Sequence, residues 1–514
     1  MSKFPSAETP VIIGSGQFTE RIGDADYAAL SPVAITARAG SLALADAGLT
    51  DPATHIDTVM TTRIFEDSAP VLQFPFGRSN NFPRSVCQRL GLDPETAIWA
   101  TSGGDTPQKL VNEACHRIHQ GLSNAVLIAG GEALSTSRHL QKEGADVDWS
   151  ETIEQPVDDR GAIIDYLTHD EIVNGLITPP LFYGLMENAR RIGAGVSRDQ
   201  WAEQMGQLFA PFARVASENP LAAQRDRAFT AADLITPGPG NRRVVDPYPQ
   251  RLVARDQVNQ SAALVVVSAA LADALAIPAE ARIYLHGHAV AGEPPVSLRP
   301  DIGQAPSAGL ALHRALERAG CGIDEIDVLD FYSCFPIAVS NAIESIGVAP
   351  DDPRKLTLTG GLPYFGGPGN SYSMHALAEM VSRLRRAPGT RGLIGANGGF
   401  LSKYAVGVYS TRPAAYVYHD NAELDAEMVR QPEVHFDSQA QGLGRVEAHT
   451  MAYDRDGKPK NAIVAGRLEV GGARFLASVG RESEAILADC EAQDPGGRRV
   501  QVVPGEKGND FSFA

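Results

Sequence analysis

The sequence predicts an α/β protein built from a duplicated unit and followed by a separate small β-domain. Three observations carry this. Continuous apolar runs at 125–131 and 392–399 each leave through glycines, as strands buried on both faces do. Amphipathic helix patterns alternate with these runs, which is the signature of packed α/β layers. After residue 411 the pattern changes to alternating strands and turn signals, with little helix.

The elements follow in order. The first half spans 8–280. Within it, 32–59 reads as a helix ending at Ala47-Gly48, followed by Ile56-Asp57 and Val59. The second half, 281–411, repeats the plan: 306–328 reads as a helix ending at Ala319-Gly320, then Ile326-Asp327-Val328. A glycine just past a helix closes it in the left-handed conformation without a Cβ penalty. Between the halves, 137–251 is more polar and breaks the rhythm, so it reads as an insertion lying over the core. Ser197 is a good helix N-cap there, with Gln200 at the capping-box position. The run 262–267 then returns to the core. Residues 420–514 form the β-domain, with a hairpin around Gly471-Gly472 and an OB-like barrel as its expected form.

Composition narrows the function classes. A chain of 514 residues has room for two or three domains, and 43% hydrophobic with 21% charged residues is ordinary for a globular protein. A net charge of −17 argues against nucleic acid and anionic membranes as partners. Five cysteines without zinc or disulfide spacing fit a reducing cytoplasm. The N-terminus shows no secretory pattern, and no apolar run is long enough to span a membrane. No GxGxxG, Walker, GxSxG or HExxH pattern is present, so no metal or nucleotide cofactor is expected.

The segment 359–376, TGGLPYFGGPGNSYSMHA, is the most informative. Seven of its first eleven residues are glycine or proline, and a helix pattern follows at once. A loop so rich in small residues permits close approach of backbone to a ligand. Gly360-Gly361 with Gly366-Gly367-Pro368-Gly369 resembles the thiolase loop GGxxxxGHP-G. Four further stretches resemble thiolase motifs in the same order: Val11-Ile12-Ile13-Gly14 the opening strand, Ala129-Gly130-Gly131-Glu132-Ala133 the AGGxE turn, Val258 to Ala263 the NxxxxNDGAA entry, and Tyr332-Ser333-Cys334-Phe335 the HDCF motif of sterol-carrier-type thiolases. The resemblance covers nearly all of 8–411. It implies a five-layered core of two α/β halves with a loop insertion in the first.

It also implies a site whose reactive residues are missing. The nucleophilic cysteine, set at a helix start where amides and dipole favour a thiolate, corresponds to Gly104. Thr106 reads as the cap of that helix, and Cys115 as a core residue. The histidine corresponds to Gly367, and the second cysteine to Ala396. Nearby groups are candidates to replace them. His375 suits proton transfer, or is a packed or capping histidine. Tyr332 can donate a hydrogen bond or shuttle a proton, or is an aromatic packed at a strand exit. Asn397 can hold an oxyanion, or is a turn residue. Gly104, Ser333, Gly367, Asn370 and Gly399 are expected to line the substrate. Arg198, in a run resembling the thiolase SREEQD, and Arg214 are candidate contacts to coenzyme A, or lie on a solvated helix face.

The implied ligand is a coenzyme A thioester, with no tightly bound cofactor. The implied activity is carbon–carbon bond forming or breaking on acyl-CoA, as in acetyl-CoA acetyltransferases, but without a residue to carry an acyl group. Three alternatives stand beside it: a retro-aldolase-type lyase using tyrosine, as in some relatives with an OB-fold partner; a non-catalytic acyl-CoA or lipid-binding protein; and an interaction scaffold. Thiolases pair through their cores, so a homodimer is the family expectation.

Overall fold

The computed structural model describes residues 5–68, 73–162 and 167–514. Residues 1–4, part of the N-terminus read above for a leader, lie outside that range.

The duplication is visible in the sheets. In the first half the strands run in the order Pro10–Thr19, Asn259–Ser268, Ala125–Ala133, Thr58–Thr61, Thr96–Trp99, Asp158–Asp159. In the second the order is Tyr284–Gly292, Lys403–Ser410, Arg391–Gly398, Val328–Phe331. The first four positions match in direction as well. In each half the first two neighbouring pairs are antiparallel and the third is parallel. Glycine-ended helices Pro32–Asp46 and Pro306–Arg318 open the two units, as their shared sequence pattern predicts.

The layers follow from burial. Helices Thr106–His119 and Tyr372–Arg386 lie between the two sheets and pack on both. Leu110, Val111, Ala114, Cys115 and Ile118 of the first meet Met374, Leu377, Met380 and Val381 of the second in one apolar cluster. Each such fully buried aliphatic side chain contributes about 1.5–3 kcal/mol. Pro32–Asp46 and Pro306–Arg318 cover the outer faces, which gives five layers.

The insertion comprises helices His169–Val173, Pro179–Gly193, Arg198–Glu218 and Ala231–Ile235 with a short hairpin, Arg243–Val245 and Tyr248–Pro249. Ser197 and Gln200 form the capping box their spacing predicts.

At the C-terminus, strands Gly442–Tyr453, Pro459–Leu468, Arg474–Val479, Arg499–Pro504 and Asn509–Phe513 form an antiparallel sheet. The long first strand pairs with the second from Gly444 to Tyr453 and with the fourth from Gly442 to Arg445. Helix Glu484–Ala492 sits between the third and fourth strands. Asn509 Nδ2 donates to Leu476 O at 2.9 Å and draws the last strand towards the third. This is the curl of a five-stranded, partly open barrel. The hairpin at 471–472 forms where its glycines place it, both with positive φ.

The barrel does not stand alone. Val245 of the insertion hairpin pairs with Ala452 of the first barrel strand, so the two share a sheet. Arg191, 3% exposed on the insertion, meets Asp494 of the barrel at 2.6 Å. His449 lies between Asp494 at 3.1 Å and Asp246 at 3.3 Å. Buried Arg474 donates to the carbonyls of Ser297, Arg299 and Pro300 in the second half.

The outer edge of the first sheet is also occupied. Asp158–Asp159 adds in parallel to Thr96–Trp99, and Arg63, stacked on Trp99 at 4.3 Å, holds Asp159. Two residues of that edge, Ile98 and Trp99, are thus paired within the chain.

A tyrosine where the nucleophile would stand

Gly104 precedes the central helix Thr106–His119. Thr106 is the first residue of that helix and Asp105 its cap, one position earlier than the sequence implied. The Thr106 hydroxyl instead donates to Thr101 O at 3.1 Å, closing the loop on itself. A Cβ built on Gly104 stands 2.5 Å from Asn397 O and 2.6 Å from Tyr332 Cζ, with the Tyr332 hydroxyl closer still. Only glycine fits at 104, because the tyrosine fills the space a nucleophile needs. Ser373 Oγ donates to Gly104 O at 2.6 Å and fixes the loop from the facing helix.

Tyr332 leaves the end of Val328–Phe331. Its backbone amide donates to Gly395 O at 2.9 Å, and its ring meets Tyr372 edge-on at 5.3 Å. Among the described residues its hydroxyl has no hydrogen-bond partner, and the residue keeps 9% exposure. Burial holds the phenol well above its usual pKa, so it is a proton donor at neutral pH. Beside it lies Asp105, which carries no motif in the sequence. It is fully buried, neither carboxylate oxygen accepts a hydrogen bond, and Lys109 Nζ stands 3.6 Å away. Gly398 and Gly103 are needed to make room for that carboxylate. An acidic residue next to a glycine-rich turn gives no signal of this; only the fold brings it under the tyrosine.

Asn397 faces inward. Its Nδ2 donates to Tyr183 Oη at 2.8 Å and lies 3.7 Å from Cys334 Sγ, while its Oδ1 has no partner. Its donors are thus taken, which corrects the expectation of an oxyanion donor. Tyr183 comes from insertion helix Pro179–Gly193 and donates to Gly399 O at 3.2 Å. Its ring stacks on Phe335 at 4.3 Å. The insertion therefore pins the second half's glycine turn with one tyrosine, a contact with no local sequence signature. Burial pushes the Cys334 thiol up to about 12, so it is no thiolate.

The glycine loop is tied down along its length. Asp330 accepts from Leu358 N at 2.7 Å and Thr357 Oγ1 at 3.2 Å; burial raises its carboxyl to about 7. Ser333 is fully buried against Gly361, which has φ +81°. Gly367 N donates to Arg255 O at 2.8 Å. Asn370 accepts from Gly103 N at 2.9 Å and donates to Arg63 O and Ser68 Oγ, so both ends of its amide are used within the protein.

Three expected site residues point elsewhere. His375 lies two positions past Ser373, about 200° around the helix. Its Nδ1 is 2.8 Å from Gln17 Oε1, its ring meets Phe365, and it is fully buried; burial pushes it down to about 3. It is a core histidine, turned away from Gly104. Arg198 donates to the carbonyls of Cys490 at 3.0 Å and Glu491 at 3.3 Å and so anchors the barrel. Arg214 is 77% exposed and pairs only with Glu218, one turn on. Two other arginines stand nearer the loop. Arg227 and Arg255 are close enough to repel, and neither guanidinium has an ion-pair or hydrogen-bond partner among the described residues. Among those residues, too, no three His, Cys, Asp or Glu side chains are grouped to hold a metal. No described helix is long and apolar enough to cross a membrane.

Residues 423–507 match the family described as the thiolase-like protein type 1 additional C-terminal domain. No curated protein matches the chain. Among solved structures, an Ltp2-ChsH2(DUF35) aldolase aligns with 79% of this chain and 98% of its own at 19% identity, TM-score 0.58. The dimeric peroxisomal thiolase of Saccharomyces cerevisiae aligns over the same shares at 14% identity, TM-score 0.58. At such identities these two show the fold, which is that of a thiolase. A monomeric SCP2-thiolase-like protein type 1 from Mycobacterium smegmatis aligns over 100% of both chains, at 40% identity and TM-score 0.84. The chain belongs to the SCP2-thiolase-like proteins of type 1.

Proposed function

We propose that the protein acts on acyl-CoA thioesters by carbon–carbon bond chemistry that forms no acyl-enzyme. The observation that carries this is the Tyr332 hydroxyl, unpartnered and protonated, standing where a nucleophile would need to be. A step suited to these groups is a retro-aldol cleavage of a 3-hydroxyacyl thioester. The Asp105 carboxylate takes the hydroxyl proton, the Cα–Cβ bond breaks to release a carbonyl compound, and the electron pair becomes a thioester enolate. Tyr332 gives its proton to that enolate, and the proton on Asp105 restores the phenol. In that water-excluded setting the Tyr332 hydroxyl is a stronger hydrogen-bond donor to a developing oxyanion than it would be in water. Arg227 and Arg255, without a hydrogen bond or ion pair among the described residues, suit the phosphates of coenzyme A outside the glycine loop. The neighbouring fold of a thiolase from Ascaris suum, described in complex with coenzyme A at TM-score 0.56, supports that ligand class.

The test joins calorimetry with product analysis. Acyl-CoA binding should weaken in Arg255→Ala, and turnover should vanish in Tyr332→Phe while binding persists. An acyl group trapped on a thiol, or no binding of any acyl-CoA, overturns the reading.

One observation favours a second reading, a non-catalytic acyl-CoA or lipid-binding protein: the donors of Asn397 are already spent on Tyr183 and Cys334. Binding with no turnover of any 3-hydroxyacyl or 3-ketoacyl thioester selects it. We also infer a monomer, on the self-capped sheet edge and on the Mycobacterium smegmatis relative described as monomeric. A cytoplasmic setting is our inference from five free cysteines.

A further inference from the structure

A cavity of about 400 Å³ opens between the outward face of helix Thr106–His119, strand Tyr284–Gly292 and the segment around 418–421. Its wall carries several buried polar groups without partners. His288 is 3% exposed, and neither ring nitrogen makes a hydrogen bond of good geometry; the Val417 carbonyl is its nearest polar contact. His116 lies stacked on Tyr418 at 3.8 Å with its Nδ1 unpartnered. Asn112 spends one half of its amide on Gln108 at 2.8 Å, and Gln108 is itself held by Tyr409; the other half of the Asn112 amide is free. Native proteins leave few buried polar groups unmet, so three around one cavity call for an occupant.

The charges say which kind. Glu113 is held by both arms of Arg160, at 2.6 and 2.7 Å. Arg318 donates to His288 O at 2.8 Å and is paired with Glu423 at 3.0 Å. Among the described residues Lys109 pairs with Asp105 alone, at 3.6 Å. Among the described lining residues the one carboxylate, Glu113, is thus paired, while Asp420, next in the chain to His419, acts on that imidazole from outside the lining. What remains is one ammonium and the imidazoles of His116, His288 and His419, the last two 5.8 Å apart. Burial depresses all three imidazoles, with Arg318 and neighbouring histidines adding to it. An arriving anion reverses that balance.

We propose that this cavity binds a small oxyanion, a carboxylate or inorganic phosphate, gripped by Lys109, the three histidines and Asn112. The site is separate from the acyl-CoA reading and does not rest on it.

Calorimetry on the full chain tests it, with inorganic phosphate and acetate titrated separately near pH 6 and pH 7.5 in two buffers of different protonation heat. Binding at least about tenfold tighter near pH 6, with proton uptake, is expected. Surface variants Lys109→Met and His419→Gln should each lose about tenfold, while circular dichroism stays unchanged. A response to phosphate alone or to acetate alone supports the site and identifies its anion. Binding by neither, or equal binding by wild type and both variants, overturns the proposal.

Discussion

Tyr332 and Gly104 are complementary: the ring of one fills the volume that any side chain on the other would need. The thiolase frame here has not merely lost a cysteine. The space at this turn is filled by a phenol, on which the Asp105 carboxylate acts.

Restoring the sulfur should therefore fail. Gly104→Cys forces a Cβ against Tyr332 Cζ and Asn397 O, and overpacking of this kind costs about 1–3 kcal/mol. Tyr332→Ala in the same chain should recover part of that loss, because it removes the ring and leaves only the contact with Asn397 O. Urea denaturation of the two singles and the double measures the coupling; additive effects would refute the fit.

His375 should register in stability rather than activity. Its folded pKa, about 3, lies below the ordinary histidine value of about 6.5, so the folded state resists protonation. Its share of stability is complete above about pH 6.5 and is lost as pH falls from there towards 3, by at most about 1.4 kcal/mol per pH unit. His375→Leu should flatten that dependence in denaturation series between about pH 7 and pH 5 and leave acyl-CoA binding unchanged.

The barrel should loosen when Arg191 loses its acid. Asp494→Ala leaves a guanidinium 3% exposed without its carboxylate. With Asp494 itself about a third exposed, about 2–3 kcal/mol is expected, less than for a wholly buried pair. Proteolysis should then quicken between the last core strand, Lys403–Ser410, and the first barrel strand, Gly442–Tyr453. An unchanged cleavage rate would mean that Arg474, Arg198 and the shared sheet suffice to hold the barrel.

Uncapping the sheet edge should change assembly. Replacing Asp158 and Asp159 with a flexible glycine pair removes the Arg63 tether and exposes Thr96–Trp99. Sedimentation velocity should show more self-association in the variant than in the parent chain. Equal association in the two samples would show that this edge does not control pairing.

Much of the fold is legible locally, because its signals are local. Glycines after two helices, two apolar strands and a capping box at Ser197 each act within a few residues. The site is less so. Tyr332 is visible as a candidate, yet its meaning depends on residue 104, reached only through tertiary packing. His375 sits beside an informative loop but on the wrong side of its helix, and two residues of helical phase decide that. Asp105 and Tyr183 carry no motif; one is placed by neighbouring glycines and the other by an insertion more than 200 residues from Asn397. Arg198 matches a familiar run, but the added barrel has claimed it.

The ladder between Val245 and Ala452 has a mechanical consequence. Lifting the flap that carries Tyr183 drags the appended module along with it. A partner that grips that module from outside would pull on the insertion whose Tyr183 bonds Asn397 and Gly399.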